Sequence, residues 1–226
     1  MTRIISIGLC ILWSVSAAFA QSRLVRNLRQ GKQQVLVVYG TSLSAGEGGK
    51  AWVTAVADGL NKRYGNRLSC YNTGKPAMWS TWGVQHLEDS VISRKPDAVL
   101  IEFAINDAFV PYHTSPQLAQ LNLEYMINRL MLCNPDCEII LQLMNPPTGQ
   151  HAADRPELAA YYEVYRTVAT KYGLMLIDHD SYWKDILSAG IETFLTHVPD
   201  GIHPNAESAR SLIAPYVLRA LENINP

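Results

Sequence analysis

Short apolar runs separated by longer stretches of helical spacing constrain this chain more than any other feature. Val35-Leu36-Val37-Val38-Tyr39, Leu68 to Tyr71, Ala98 to Phe103, Ile139 to Met144 and Leu174 to Ile177 read as five strands. They are continuous rather than alternating, which suits strands covered on both faces, as in a parallel sheet. Helices are predicted over 51–64, 81–93, 117–132 and 156–172, and over 206–221, where Pro215 kinks or divides the segment. In 117–132, Leu118, Leu121, Tyr125, Leu130 and Met131 share a plausible core face. Parallel strands need helical crossovers, so the fold expected is a three-layer α/β/α domain around one five-stranded parallel sheet. Residues 21–34 are polar and basic and read as a loose lead-in.

The first twenty residues read as a leader rather than as fold. Arg3 gives a positive start, Ile4 to Ala18 is nearly all apolar, and Ala18-Phe19-Ala20 fits a small-x-small cleavage site. That stretch is short for a spanning helix. Residues 21–226 are then expected to form a single exported domain, periplasmic or secreted, with no stable membrane insertion. The net charge of −1 carries no basic excess to hold nucleic acid. Cys133 and Cys137 bracket a turn-like Asn134-Pro135-Asp136, so in an oxidising compartment they either pair or stay as thiols. Cys70 reads as a buried free thiol, and the cysteine spacing matches no zinc site.

In open parallel sheets, chemistry collects in loops beyond the carboxyl ends of the strands. Gly40-Thr41-Ser42-Leu43 follows the first run, Asn72-Thr73-Gly74 to Ala77 the second, and Asn106-Asp107 the third. Asn145-Pro146-Pro147 follows the fourth, and Asp200-Gly201-Ile202-His203 precedes the last helix. Ser42 needs a base to act as a nucleophile, and otherwise reads as a cap or turn serine. His203 can take its proton, and Asp200 can fix the imidazole tautomer. Asn106 offers an amide to an oxyanion, whereas Asp107 reads as a loop-stabilising carboxylate. His197 and His179 compete with His203; a metal site from Asp178, His179 and Asp180 requires adjacent residues to face one centre. A paired-carboxylate glycosidase using Asp107 and Asp200 leaves Ser42 and the histidine without a role.

These motifs, in this order, resemble the SGNH, or GDSL-type, hydrolase family across the whole mature chain. Gly40-Thr41-Ser42-Leu43 is similar to its Gly-Asp-Ser-Leu block, with threonine for aspartate. Ala104-Ile105-Asn106-Asp107 keeps the Asn-Asp of Gly-x-Asn-Asp, and Asp200-Gly201-Ile202-His203 matches Asp-x-x-His in full. In block two, Ala77 stands where the family has glycine, five residues after Asn72. The resemblance implies a flavodoxin-like fold, Ser42 as nucleophile, His203 as base and Asp200 as its orienter. It implies oxyanion donors from the Ser42 and Ala77 N–H groups and the Asn106 amide, with Gly74 as the alternative to Ala77. It implies no cofactor and no metal.

The family hydrolyses many esters and thioesters. Around the motifs lie Trp79, Trp82, Tyr112, His113 and His151, and aromatic faces suit sugar rings. Arg155-Pro156-Glu157-Leu158 adds to the likeness to the sugar-esterase branch. The expected substrate is a short acyl ester, acetyl foremost, on a glycan. The alternatives are a short-chain lipid esterase or lysophospholipase, a thioesterase, and a non-catalytic glycan-binding protein on the same fold.

Overall fold

The computed structural model describes residues 21–223; the leader expected over residues 1–20 lies outside them. Its centre is a sheet of five parallel strands in the order β2-β1-β3-β4-β5. The strands are β1 (Gln34–Gly40), β2 (Leu68–Asn72), β3 (Ala98–Glu102), β4 (Glu138–Leu143) and β5 (Met175–Asp178). Side chains alternate across the sheet, and both faces are apolar. Leu36, Val38, Leu100 and Ile140 enter one buried cluster, and Val37, Tyr39, Val99, Ile101, Ile139 and Leu141 enter the other.

The helices, in chain order, are α1 (Arg23–Arg29), α2 (Ser42–Ala45), α3 (Glu47–Tyr64), α4 (Ser80–Ser90), α5 (Ala104–Asp107) and α6 (Pro116–Cys133). They continue as α7 (Gly149–Ala153), α8 (Leu158–Tyr172), α9 (Asp180–Ser188), α10 (Ile191–His197), α11 (Ala206–Ser208) and α12 (Ala214–Glu222). Residues of α1, α3, α9, α10 and α12 pack in the first cluster, and residues of α4, α6 and α8 in the second. This is the expected α/β/α sandwich. The long helices carry recognisable ends. Ser115 caps α6 by accepting from Leu118 N–H, with Pro116 at the first helical position. Gly65 and Gly173 close α3 and α8 in left-handed conformations. A π-helical turn, Ala209–Ile213, divides the last segment just ahead of Pro215.

Three expectations are corrected. The segment 21–34 is no loose lead-in: Leu24, Val25 and Leu28 of α1 are buried. The Glu138 carboxylate accepts from Ser22 Oγ, Arg23 N–H and Leu24 N–H at 2.7, 2.9 and 2.7 Å. The core face of α6 is Ala119, Leu123, Met126, Ile127 and Leu130, while Leu118, Leu121 and Tyr125 are exposed. The helix carries two apolar stripes offset by about one residue, about 100°, and the stripe through Ala119 and Leu123 packs into the cluster formed with the sheet, α4 and α8. Pro156 lies before α8 rather than inside it. The open question of the cysteines resolves as thiols: Cys133 is exposed at the end of α6, Cys137 turns inward, and Cys70 is free at the edge strand.

Candidate active site

β1 ends at Gly40, and the chain turns at once into α2, whose first residue is Ser42. Thr41 caps this short helix, its Oγ1 accepting from Leu43 N–H at 3.1 Å. Behind the turn, at the end of the neighbouring strand, lies the Glu102 carboxyl. It accepts from Thr41 N–H at 3.1 Å and contacts Thr41 Oγ1 at 3.0 Å and Ser44 Oγ at 3.2 Å. Gly40 makes room for it, since a Cβ there would lie 2.7 Å from Glu102 Oε2.

His203 reaches Ser42 from the loop between α10 and α11. Ser42 Oγ is 2.8 Å from His203 Nε2, and His203 Nδ1 is 2.6 Å from Asp200 Oδ2. Facing a carboxylate, Nδ1 is the donor, which leaves the Nε2 lone pair to accept from the serine hydroxyl. Burial opposes ionisation of Asp200, but hydrogen bonds from the His203 N–H and ring and from Ile202 N–H hold it below the ordinary carboxyl value. The loop is braced from beneath by Thr148 N–H donating to Gly201 O at 2.8 Å and Asn145 Nδ2 donating to Ile202 O at 3.0 Å. Gly201 has φ +84°, and a Cβ on it would sit 2.8 Å from Thr148 Oγ1. The start of α3 lets the two loops meet: a Cβ on Gly48 would overlap the Pro204 carbonyl, and one on Gly49 would overlap the backbone of Ser44.

On the other flank, Asn106 Nδ2 donates to Met78 O at 2.9 Å, using one of its two protons. Its Oδ1 lies 3.4 Å from an Arg155 nitrogen, and Arg155 Nε donates to Ile105 O at 2.7 Å. Ala77 is left-handed, at φ +60°, and its carbonyl accepts from Tyr112 OH at 2.6 Å. Gly74 N–H donates to Asn72 Oδ1 at 3.3 Å, and Asn72 in turn donates to Ser44 O. Among the described residues, the Ser42 and Ala77 N–H groups have no acceptor. A cleft of about 410 Å³ opens over Ser42 and His203 between Glu47, Pro76, Pro199 and Pro204.

Comparison with known proteins shows the family. The model of the GDSL-like lipase/acylhydrolase family matches residues 38–210. The chain belongs to this family. Its members are ester hydrolases, and so is this chain. No curated protein matches it in sequence. Solved structures share its fold at low identity. A lipase/acylhydrolase from Enterococcus faecalis is 21% identical with a TM-score of 0.71, over 84% of this chain and 96% of that one. Axe2, an acetylxylan esterase from Geobacillus stearothermophilus, is 20% identical with a TM-score of 0.72, over 85% and 96%. A two-domain esterase active on acetylated mannans is 17% identical with a TM-score of 0.71, over 92% of this chain and 54% of its own.

Not every candidate residue of this GDSL-like chain joins the cleft. His179 is fully buried, 3.1 Å from Gln142 Nε2, and burial pushes it down to about 3. Asp178 and Asp180 turn instead to Arg166, at 2.9 and 3.1 Å, so the three neighbours face no common centre. His197 bonds Ser208 Oγ. Asp107 accepts from Ser80 N–H at 2.9 Å, and burial pushes it up to about 7. Two residues of the site escaped the sequence reading of their roles. Glu102 is the sole charge in the apolar run of β3, a visible anomaly. Arg155 had no signal that linked it to Asn106.

Proposed function

We propose that this GDSL-like chain is an exported, single-domain serine esterase that removes short acyl groups, acetyl foremost, from carbohydrate. One observation carries the chemistry: the unbroken hydrogen-bonded chain from Ser42 Oγ through His203 to Asp200, at 2.8 and 2.6 Å. Ser42 Oγ attacks the ester carbonyl while its proton passes to His203 Nε2. Asp200 holds the ring and stabilises the imidazolium. The oxyanion is met by the Ser42 and Ala77 N–H groups and the second Asn106 Nδ2 proton. Collapse expels the alcohol, which takes the proton from His203 and leaves an acyl-serine. Water, deprotonated by the same histidine, then releases the carboxylic acid. The Gly74 N–H is already committed to Asn72, which favours Ala77 as the second backbone donor.

The short acyl and the sugar rest on different support. The cleft at Ser42 holds about 410 Å³ and is lined in part by Pro76, Pro199 and Pro204, a size in keeping with a short acyl group. Trp79 and Tyr112 stack at 4.4 Å beside the Ala77 loop, a platform of the kind that sugars use. Two fold relatives act on acetylated xylan and mannan. The test compares p-nitrophenyl acetate with longer esters and acetylated xylan, for wild type and Ser42→Ala. Serine-dependent turnover that falls with chain length, and a loss of at least about 10⁴-fold in Ser42→Ala, is the expected outcome. A preference for long chains would favour the lipid reading, and glycan binding without turnover would favour the non-catalytic one.

A further inference from the structure

The Glu102 carboxyl has no part in the reaction just described, yet it lies directly behind the turn that performs it. It is 1% exposed, and among the described residues no arginine, lysine or histidine pairs with it. The titratable groups that face it are Asp107 from α5 and the Tyr162 and Tyr165 phenols from α8, none of them a cation. Among the described residues, Thr41 and Ser44, from the turn itself, are the only hydrogen-bond partners of its side chain. A buried acid without a cation favours its neutral form. Thr41 N–H and Ser44 O–H donate to Oε2, and the Thr41 hydroxyl donates between Oε1 and Oε2 at 3.1 and 3.0 Å. These donors oppose the effect of burial without cancelling it, and a rotated Thr41 hydroxyl can accept the O–H of the neutral acid.

From this geometry we infer that Glu102, as a neutral carboxylic acid, is a positioning residue for acyl transfer, orienting the Thr41–Ser42 peptide whose N–H faces the oxyanion. Block one of the family pattern carries a carboxylate at position 41; here Thr41 stands there, and the carboxyl arrives from the next strand. Grip on both the N–H and the hydroxyl of Thr41 leaves the following peptide little freedom to turn. Ionisation would place an uncompensated negative charge behind the site where the oxyanion develops, and so would slow the reaction. Burial pushes this carboxyl up to about 8, within reach of an ordinary pH profile. The inference rests on the serine-esterase reading and deepens it.

The decisive variant is Glu102→Gln, because the amide is neutral at every pH, keeps one acceptor oxygen and places an N–H donor where the neutral acid has its O–H. With p-nitrophenyl acetate, wild-type kcat/KM should fall as pH passes about 8. Glu102→Gln should fold, keep kcat/KM at pH 7 within about threefold and lack that fall. Asp107→Asn should retain it, which separates the two buried acids. Glu102→Ala should lose about tenfold or more in kcat with KM little changed, as expected when an oxyanion donor is misaligned. The inference is overturned if wild type shows no alkaline fall, if Glu102→Gln keeps it, or if Glu102→Gln loses tenfold at pH 7 or fails to fold. It is equally overturned if Glu102→Ala leaves kcat intact. Ser42→Ala, run alongside, reports separately on the serine mechanism: full activity there removes that reading, whatever Glu102 does.

Discussion

Left-handed backbone at an alanine costs about 1–2 kcal/mol, and Ala77, at φ +60°, carries that cost next to Pro76, which lines the Ser42 cleft. Tyr112 OH on the Ala77 carbonyl helps hold the conformation. Ala77→Gly should therefore keep esterase activity and gain roughly 0.5 kcal/mol, after the extra freedom of glycine in the unfolded chain is offset. Ala77→Val, branched at Cβ, should lose both activity and stability. Thermal melts and p-nitrophenyl acetate assays on the pair check this. At this scale the sequence was readable wherever residue type announces chemistry: Ser42, His203, Asp200 and Asn106 stand at the places their motifs suggest. Glu102 and Arg155 were not readable as parts of the site. Their roles come from partners 61 and 49 residues away, Thr41 and Asn106.

The elements show what propensity conceals. The helix expected from Ala51 begins at Glu47: Gly48 and Gly49 weaken a helix, but they let its first turn touch the histidine loop at Pro204 and the serine turn at Ser44 respectively. Gly48→Ala should improve helix propensity and still destabilise the protein by about 1–3 kcal/mol. It should also push His203 off Ser42, with up to about a 10²-fold loss of activity. Gly59→Ala in the same helix meets only the tip of Leu218, at 3.1 Å, and should cost little of either. Comparing the two by urea melts and kcat/KM separates helix propensity from close approach. The five strands were legible because their runs are apolar on both faces. Short helices such as α2, α5 and α7 were not, since a single turn leaves no periodicity. The face of α6 was misread because two apolar stripes compete and only the neighbours decide between them.

Across the whole molecule, three buried titrating groups bias stability against pH. Glu102 rises from 4.5 to about 8 and Asp107 from 3.8 to about 7, while His179 falls from 6.5 to about 3. The two acids hold protons that the unfolded chain has released, so each removes about 1.4 kcal/mol per pH unit as pH rises through its window. His179 acts oppositely, adding stability as pH rises, but only up to 6.5, its unfolded value. The thermal midpoint should therefore decline most steeply just above pH 6.5 and level off beyond about 8. The double variant Glu102→Gln, Asp107→Asn should flatten that decline in calorimetry across the same range. The clasp at the other end of the sheet has a different consequence. Ser22 N–H donates to Leu221 O at 3.0 Å, and Glu138, which holds the start of α1, is the first residue of β4. Residues 22 and 221 thus meet across the strands' amino ends, about 20 Å of β-strand away from the serine. Topologically the segment 22–221 is almost a ring. A short linker between these residues and a new opening in a surface loop would give a circular permutant with its cleft undisturbed.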